Sequence, residues 1–149
     1  MKISARLKKI ERIFLDTAPV IYFVEKNPEY LEKVRIVFDR LDDGTLSGAA
    51  SPVTLSECLV LPIRLGKPEV VQAFIQLLGN SNNMLFVAIE EQVASRAADL
   101  RARYNLTLTD AFQVAAALVA GCDAFLTNDD AIKRVTELNV IVIDEVEAG

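Results

Sequence analysis

Residues Leu106–Asp129 read LTLTDAFQVAAALVAGCDAFLTND. Ten residues lie between Asp110 and Gly121, and Gln113 is the only polar one among them. A segment apolar nearly all round is a helix buried on most of its sides. The spacing predicts a helix over Thr109–Ala120, with Thr109 as its cap and Gly121 just past its end. A short apolar run, Ala124–Leu126, follows and gives way to the turn residues of TNDD. A buried helix feeding a short buried strand belongs to a sheet covered by helices. Asp110, a carboxylate at the head of an otherwise apolar helix, calls for a reason of its own.

The same alternation runs outward through the chain. Strand-like apolar runs are Ile13–Leu15, Leu46–Ala50, Leu85–Ile89, Ala124–Leu126 and Val140–Ile143. Helical patterns cover Ala18–Glu25, Glu29–Leu41, Val53–Leu65, Pro68–Leu78, Glu90–Tyr104, Thr109–Ala120 and Ala131–Leu138. Strand and helix alternating at this spacing predict an α/β fold with a parallel sheet. Ser51 and Pro52 suit an N-cap and first helical position, whereas Pro62 should kink or end its helix. No repeat, low-complexity tract or linker interrupts the chain. Residues 1–12 form a basic N-terminal arm ahead of a domain over 13–149. In the arm, Ile3, Leu7 and Ile10 share a helical face, while Lys2, Arg6, Lys8, Lys9 and Arg12 are basic. A solvated or packed helical arm is the favoured reading over one that binds nucleic acid.

Composition narrows the chemistry. The chain has 149 residues, two cysteines, no histidine and a net charge of −5. Without histidine there is no Ser-His-Asp or Cys-His catalysis, and two cysteines cannot close a zinc site. Any bound metal is held mainly by oxygen, which favours Mg²⁺, Mn²⁺ or Ca²⁺. No run approaches the ~20 apolar residues of a membrane span, and no signal peptide is read at the N-terminus. Cys58 and Cys122 form no CxxC pair and read as buried free thiols of a cytoplasmic protein. The negative charge argues mildly against a nucleic-acid partner, unless clustered acids hold a cation that inverts the local sign.

In a parallel α/β sheet, strand C-termini and helix N-termini share one edge, and ligands bind there. Asp16 follows the first strand, Glu57 lies early in the helix after the second, Asp110 heads its helix, and Asp129 follows the fourth strand. All four fall at that edge. Each has a local explanation as a cap or turn residue, except that Glu57 sits among Leu55, Cys58, Leu59, Val60 and Leu61 with no Arg or Lys one turn away. A shared divalent ion accounts for all four at once, because clustered carboxylates repel unless neutralised. Position alone leaves Glu90 and Glu91 as further candidates and does not separate Asp129 from Asp130. Asp39, Asp42 and Asp43 lie at the wrong end of their helix, and Asp144 and Glu145 read as exposed tail charges.

The segments FLDTAPVIYFVE, ASPVTLSECLVLPIRLG and LTLTDAFQVAAALVAGCDAFLTND, in this order and spacing, resemble those of PIN-domain nucleases, in particular VapC-like toxins of prokaryotic toxin–antitoxin pairs. The resemblance runs from Ile13 to the end. It implies a PIN-like three-layer α/β/α sandwich whose five-stranded parallel sheet has order 3-2-1-4-5. Strand 3 is then an edge strand, which moves Glu90 and Glu91 away, and the third residue of TND selects Asp129. Two departures are the basic arm and Ile132, where family members often carry an aromatic residue.

What the resemblance implies for function is a Mg²⁺- or Mn²⁺-dependent endoribonuclease that hydrolyses RNA with a metal-activated water. Asp16 and Asp110 are expected as direct ligands, with Glu57 and Asp129 acting through water. Thr17, Thr127 and Asn128 are expected to support them by hydrogen bonds. Arg64, Lys67, Arg101 and Arg103 are candidates for steering the RNA backbone. A cognate antitoxin placing a basic side chain among the acids is expected, as is a homodimer, with Val20, Tyr22, Phe23 and Val24 as residues that could face a partner, although core packing explains them as well. Two other classes compete. A receiver-like phosphoacceptor also gathers acids at a sheet edge, but needs a lysine where Lys133 is poorly placed. A non-catalytic protein-binding module would use the fold alone.

Overall fold

The structure, a computed structural model, describes residues 1–149. Five strands form one parallel sheet: β1 (Arg12–Leu15), β2 (Ser47–Ala50), β3 (Met84–Phe86), β4 (Ala124–Thr127) and β5 (Asn139–Val142). Their order is β3-β2-β1-β4-β5, as the resemblance implies. The strands are short and apolar on both faces, and their side chains alternate between two cores. Ile13, Leu15, Ala124 and Leu126 enter one core, together with Val34, Phe38 and Phe74. Phe14, Ala49 and Phe125 enter the other, with Val93, Leu100 and Val114. Phe14 and Phe125 are register partners on neighbouring strands and stack with centroids 5.3 Å apart.

Seven helices cover the two faces. The first core takes α1 (Ile3–Arg6), α2 (Thr17–Val24), α3 (Leu31–Asp43), α4 (Pro52–Arg64) and α5 (Pro68–Asn80), and the second takes α6 (Glu91–Tyr104) and α7 (Leu108–Val119). No helix is long and apolar enough to cross a membrane. At the sheet edge opposite the strand C-termini, Asp123 accepts hydrogen bonds from the amides of Glu11 (2.9 Å) and Arg12 (2.8 Å). That carboxylate anchors the start of β1.

The arm packs rather than projects. Ile3 and Leu7 are buried in the first core. The Ile3 amide donates to the Glu147 carbonyl (2.8 Å) and the Glu147 amide to Met1 (3.0 Å). Arg6 donates to the Asn139 side chain (2.9 Å) and the Val140 carbonyl (3.0 Å) on β5.

Local expectations fare unevenly. Ser51 caps α4 with Pro52 at its first position, and Thr54 returns the bond in a capping box. Pro62 does not end α4 at once; the helix continues two residues to Arg64. The cap of α7 is Thr107, not Thr109, since its hydroxyl accepts from the Asp110 amide at 3.2 Å. Ala131–Leu138 is not a helix. Only a short 3-10 turn, Asp130–Arg134, forms there. Tertiary bonds hold the rest as irregular chain: the Thr136 amide donates to the Tyr104 hydroxyl (3.4 Å), which donates in turn to Glu137. The third strand is shorter than Leu85–Ile89, running only over Met84–Phe86 along the edge of the sheet.

Candidate active site

Four acids meet at the C-terminal edge of the sheet, each delivered by a different element. Asp16 is the first residue after β1 and the N-cap of α2; its Oδ1 accepts from the Thr17 amide at 2.9 Å. Glu57 lies in the second turn of α4, Asp110 in the first turn of α7, and Asp129 follows β4 by two residues. Because β1 and β4 are adjacent, Asp16 and Asp129 stand side by side where the strand order reverses.

Two threonines tie these acids together. The Thr127 hydroxyl donates to Asp16 Oδ2 (2.7 Å) and accepts from the Asp129 amide (3.0 Å). The Thr17 hydroxyl donates to Glu57 Oε1 (2.8 Å). Thr127 is buried at the end of β4, so it holds both carboxylate-bearing segments from below. Asn128 faces elsewhere: its amide donates to the Tyr22 hydroxyl (3.2 Å) and its carbonyl accepts from the Asp144 amide (2.9 Å).

The electrostatics show the acids acting on one another. Burial pushes Asp16 above the usual carboxylate range against the lowering effect of its Thr127 and Thr17 bonds, and the charges of Glu57 and Asp129 push it further. Asp110 is raised to about 6, first by burial, then by the charges of Asp16 and Asp129. None of the four has a cationic partner. The salt bridges of the chain join Arg103 to Asp99 and Glu137, and Lys133 to Glu145. Negative charge is thus concentrated here without compensation, and every available donor atom is oxygen, the preference of Mg²⁺ and Mn²⁺. No three acidic side chains come close enough to enclose an ion on their own.

Some expectations need correcting. Glu57 is exposed, and so are its neighbours Val60 and Leu61; only Cys58 beside it is buried. An apolar sequence neighbourhood on α4 therefore does not mean a buried carboxylate, because that helix turns part of its apolar surface to solvent. Arg103 is neutralised by Asp99 and Glu137, whereas Arg101 is exposed, donates to the Leu106 carbonyl (3.2 Å) and has no acidic partner. Val20 is buried in the core, whereas Tyr22, Phe23 and Val24 are half-exposed, with Phe23 stacked on Phe38 at 4.0 Å and Tyr22 on Tyr30 at 4.3 Å. Asp144 is exposed, as expected, and accepts from the Tyr30 hydroxyl (2.8 Å). Lys133 is held by Glu145 at 2.7 Å, away from the role a receiver-like domain needs.

Beneath the acids lies a polar group that no motif announces. Gln113 of α7 accepts from the Ser51 hydroxyl (2.5 Å) and donates to the Thr54 hydroxyl (2.7 Å), and all three residues are buried. Its one visible signal is its solitude in an apolar helix.

The PIN domain family model matches residues 13–138. None of the curated proteins matches the chain in sequence. Among solved structures, VapBC2 of Rickettsia felis bound to a promoter DNA fragment is 16% identical, covering 88% of this chain and 98% of that one, with a TM-score of 0.69. DNA-bound VapBC of Salmonella typhimurium is 19% identical over 89% of this chain and 98% of that one, with a TM-score of 0.68. VapC20 of Mycobacterium tuberculosis, a sarcin-ricin loop cleaving toxin, is 15% identical over 76% and 86%, with a TM-score of 0.62. With its sheet order, its four acids at one edge and a family match over most of its length, the chain belongs to the PIN domain family.

Proposed function

We propose that this protein is a Mg²⁺- or Mn²⁺-dependent endoribonuclease and the toxin of a toxin–antitoxin pair, acting in the cytoplasm. The observation that carries the reading is the set of four carboxylates, Asp16, Glu57, Asp110 and Asp129, without a cationic partner. Two of them, Asp16 and Asp110, have proton affinities raised by burial and by the charges of other acids of the set. The structural match to a sarcin-ricin loop cleaving toxin supports it.

Asp16 and Asp110 would hold the ion directly, with Glu57 and Asp129 reaching it through water. This division suits an arrangement in which no three acids enclose an ion, because Mg²⁺ keeps several waters and takes few carboxylates. When bound, the ion supplies charge neutralisation for the phosphodiester and a water of lowered pKa. Thr127 fixes the orientation of Asp16 through Oδ2, and Thr17 fixes Glu57. With no histidine in the chain, the base work would fall to a carboxylate or to the water that the ion acidifies. RNA would be guided by exposed cations at the far end of α4, Arg64 and Lys67, rather than by net charge. The antitoxin would insert a basic side chain among the acids. A second copy of the chain would pack on the apolar residues that α4 leaves in solvent, Val60, Leu61, Ile63 and Leu65.

Cleavage of total RNA with Mg²⁺ and with EDTA tests this directly, with fragment ends mapped. The wild type is expected to cut at discrete sites, EDTA to stop it, and Asp110→Asn to lower the rate by at least about a hundredfold while folding is retained. A wild type that binds an antitoxin but cuts no RNA under any divalent ion supports the binding-module reading instead.

A further inference from the structure

Three of the four acid-bearing elements converge on one buried amide. Ser51, the N-cap of α4, donates its hydroxyl proton to Gln113 Oε1 (2.5 Å) and accepts from the amides of Val53 (3.1 Å) and Thr54 (3.5 Å). Thr54, one turn before Glu57, accepts from Gln113 Nε2 (2.7 Å) and from the Ser51 amide (3.3 Å). Its own proton goes to the Leu15 carbonyl (3.3 Å), the last residue of β1, immediately before Asp16. Gln113 itself stands three residues after Asp110 on α7. The network leaves no buried side-chain nitrogen or oxygen without a partner.

The proton assignments also give the network a direction. Were the Gln113 amide turned over, its oxygen would face Thr54. Thr54 would then have to give up Leu15 to donate to it, and the amide nitrogen would meet a Ser51 oxygen already accepting two bonds. One orientation of the amide therefore satisfies every group. Around it, α7 offers mostly small side chains, Ala111, Ala115, Ala116 and Ala117, all buried. Methyl groups make a smooth surface that resists sliding or rotation poorly, whereas a saturated polar contact in a dry interior has one geometry.

We propose that Gln113 is a positioning residue: through Ser51 and Thr54 its amide holds the Asp110 end of α7 in register with the Glu57 turn of α4 and the Asp16 end of β1. The proposal rests on the nuclease reading for what the acids do, but the register itself exists without metal or substrate. An apolar residue of equal size would fill the same space and leave this coupling absent.

The full-length chain carrying Gln113→Leu is compared with wild type and with Gln113→Glu. In its buried, protonated form Glu keeps an acceptor for Ser51 and a donor for Thr54. Three quantities are read: side-chain carboxyl ¹³C resonances of the metal-free protein, Mn²⁺ affinity by water-proton relaxation, and kcat and KM for RNA cleavage. In Gln113→Leu the Asp16, Glu57 and Asp110 resonances are expected to move. Mn²⁺ affinity and kcat should each fall about tenfold, with KM little changed and with recovery in Gln113→Glu. Should Gln113→Leu not fold, Thr54→Val carries the same expectations. Wild-type resonances and wild-type Mn²⁺ affinity in a folded Leu or Val variant would overturn the proposal, whatever the melting temperature does. If the wild type neither binds Mn²⁺ nor cuts RNA, the nuclease reading fails, and the metal-free resonances still decide the positioning role.

Discussion

Asp110 shows how a single side chain ties stability to chemistry. Its folded-state pKa is about 6, against an ordinary 3.8. The folded chain thus binds this proton more tightly than the unfolded chain does. Stability contributed here falls as pH rises through the interval between those two values, and the full penalty is present above it. Asp16 is shifted in the same direction. The carboxylates with lowered pKa values, Asp43, Asp99 and Glu137, act in the opposite sense, but at pH values below their ordinary 3.8 to 4.5. The metal-free protein is therefore expected to melt at a higher temperature at about pH 5 than at about pH 7.5, and Asp110→Asn to flatten that slope. Calorimetry showing the wild type most stable at the higher pH would contradict this account. Asp16, Asp110 and Asp129 were legible in the sequence because each lies at a strand end or helix head, where α/β geometry dictates its edge. Glu57 was legible from its place early in the helix after the second strand, although the added premise that it sits in apolar surroundings is not supported, since the side chain is exposed. The Ser51–Gln113–Thr54 network was not legible, since it joins residues about sixty apart in the chain through side-chain orientation that periodicity does not encode.

At the level of elements, helix interiors followed from hydrophobic spacing, while ends depended on particular hydrogen bonds. Two threonines two residues apart compete to cap α7, and the structure selects Thr107. Removing that bond with Thr107→Ala is expected to cost about 1 kcal/mol in urea denaturation. It should also loosen the first turn, where Asp110 sits. Thr109→Ala, on an exposed residue inside the helix, should change stability little; equal losses for the two variants would refute the assignment. The chain after Asp129 was misread because Ala131–Leu138 is apolar at helical intervals. Contacts from Tyr104 on α6 override that pattern, and they come from more than thirty residues away. The arm was read as packed or solvated. Its partner, the chain around Glu147, lies at the opposite end of the sequence, beyond what local patterning reaches.

For the molecule as a whole, the layered architecture was readable because every strand is short and apolar on both faces, which only helices on both sides accommodate. The strand order needed more than periodicity and came from the resemblance. Surfaces for other chains were the least legible feature. Of the residues of α2 that could face a partner, Val20 is buried in the core and Tyr22, Phe23 and Val24 are half-exposed, while the far half of α4 exposes Leu61 at 53% and Ile63 at 61%. On the proposal that a second copy packs there, the wild type is expected to sediment as a dimer, and Leu61→Glu combined with Ile63→Glu as a monomer without loss of helix content. A wild type that is monomeric at high concentration would remove that expectation.

The two thiols give this molecule a built-in pair of clocks. Cys58 and Cys122 are unpaired, 1% and 7% exposed, and each is pushed up to about 12 by burial, so the native state shields both from alkylation. They also lie on opposite sides of the sheet, one in each hydrophobic layer. Iodoacetamide should therefore react only with chains that have opened, and mass spectrometry of the two peptides reads each layer separately. Equal labelling rates would mean that both layers come apart in one event. A faster rate at Cys58, slowed by Mn²⁺, would mean that the half carrying Glu57 breathes alone and that the cation quiets it.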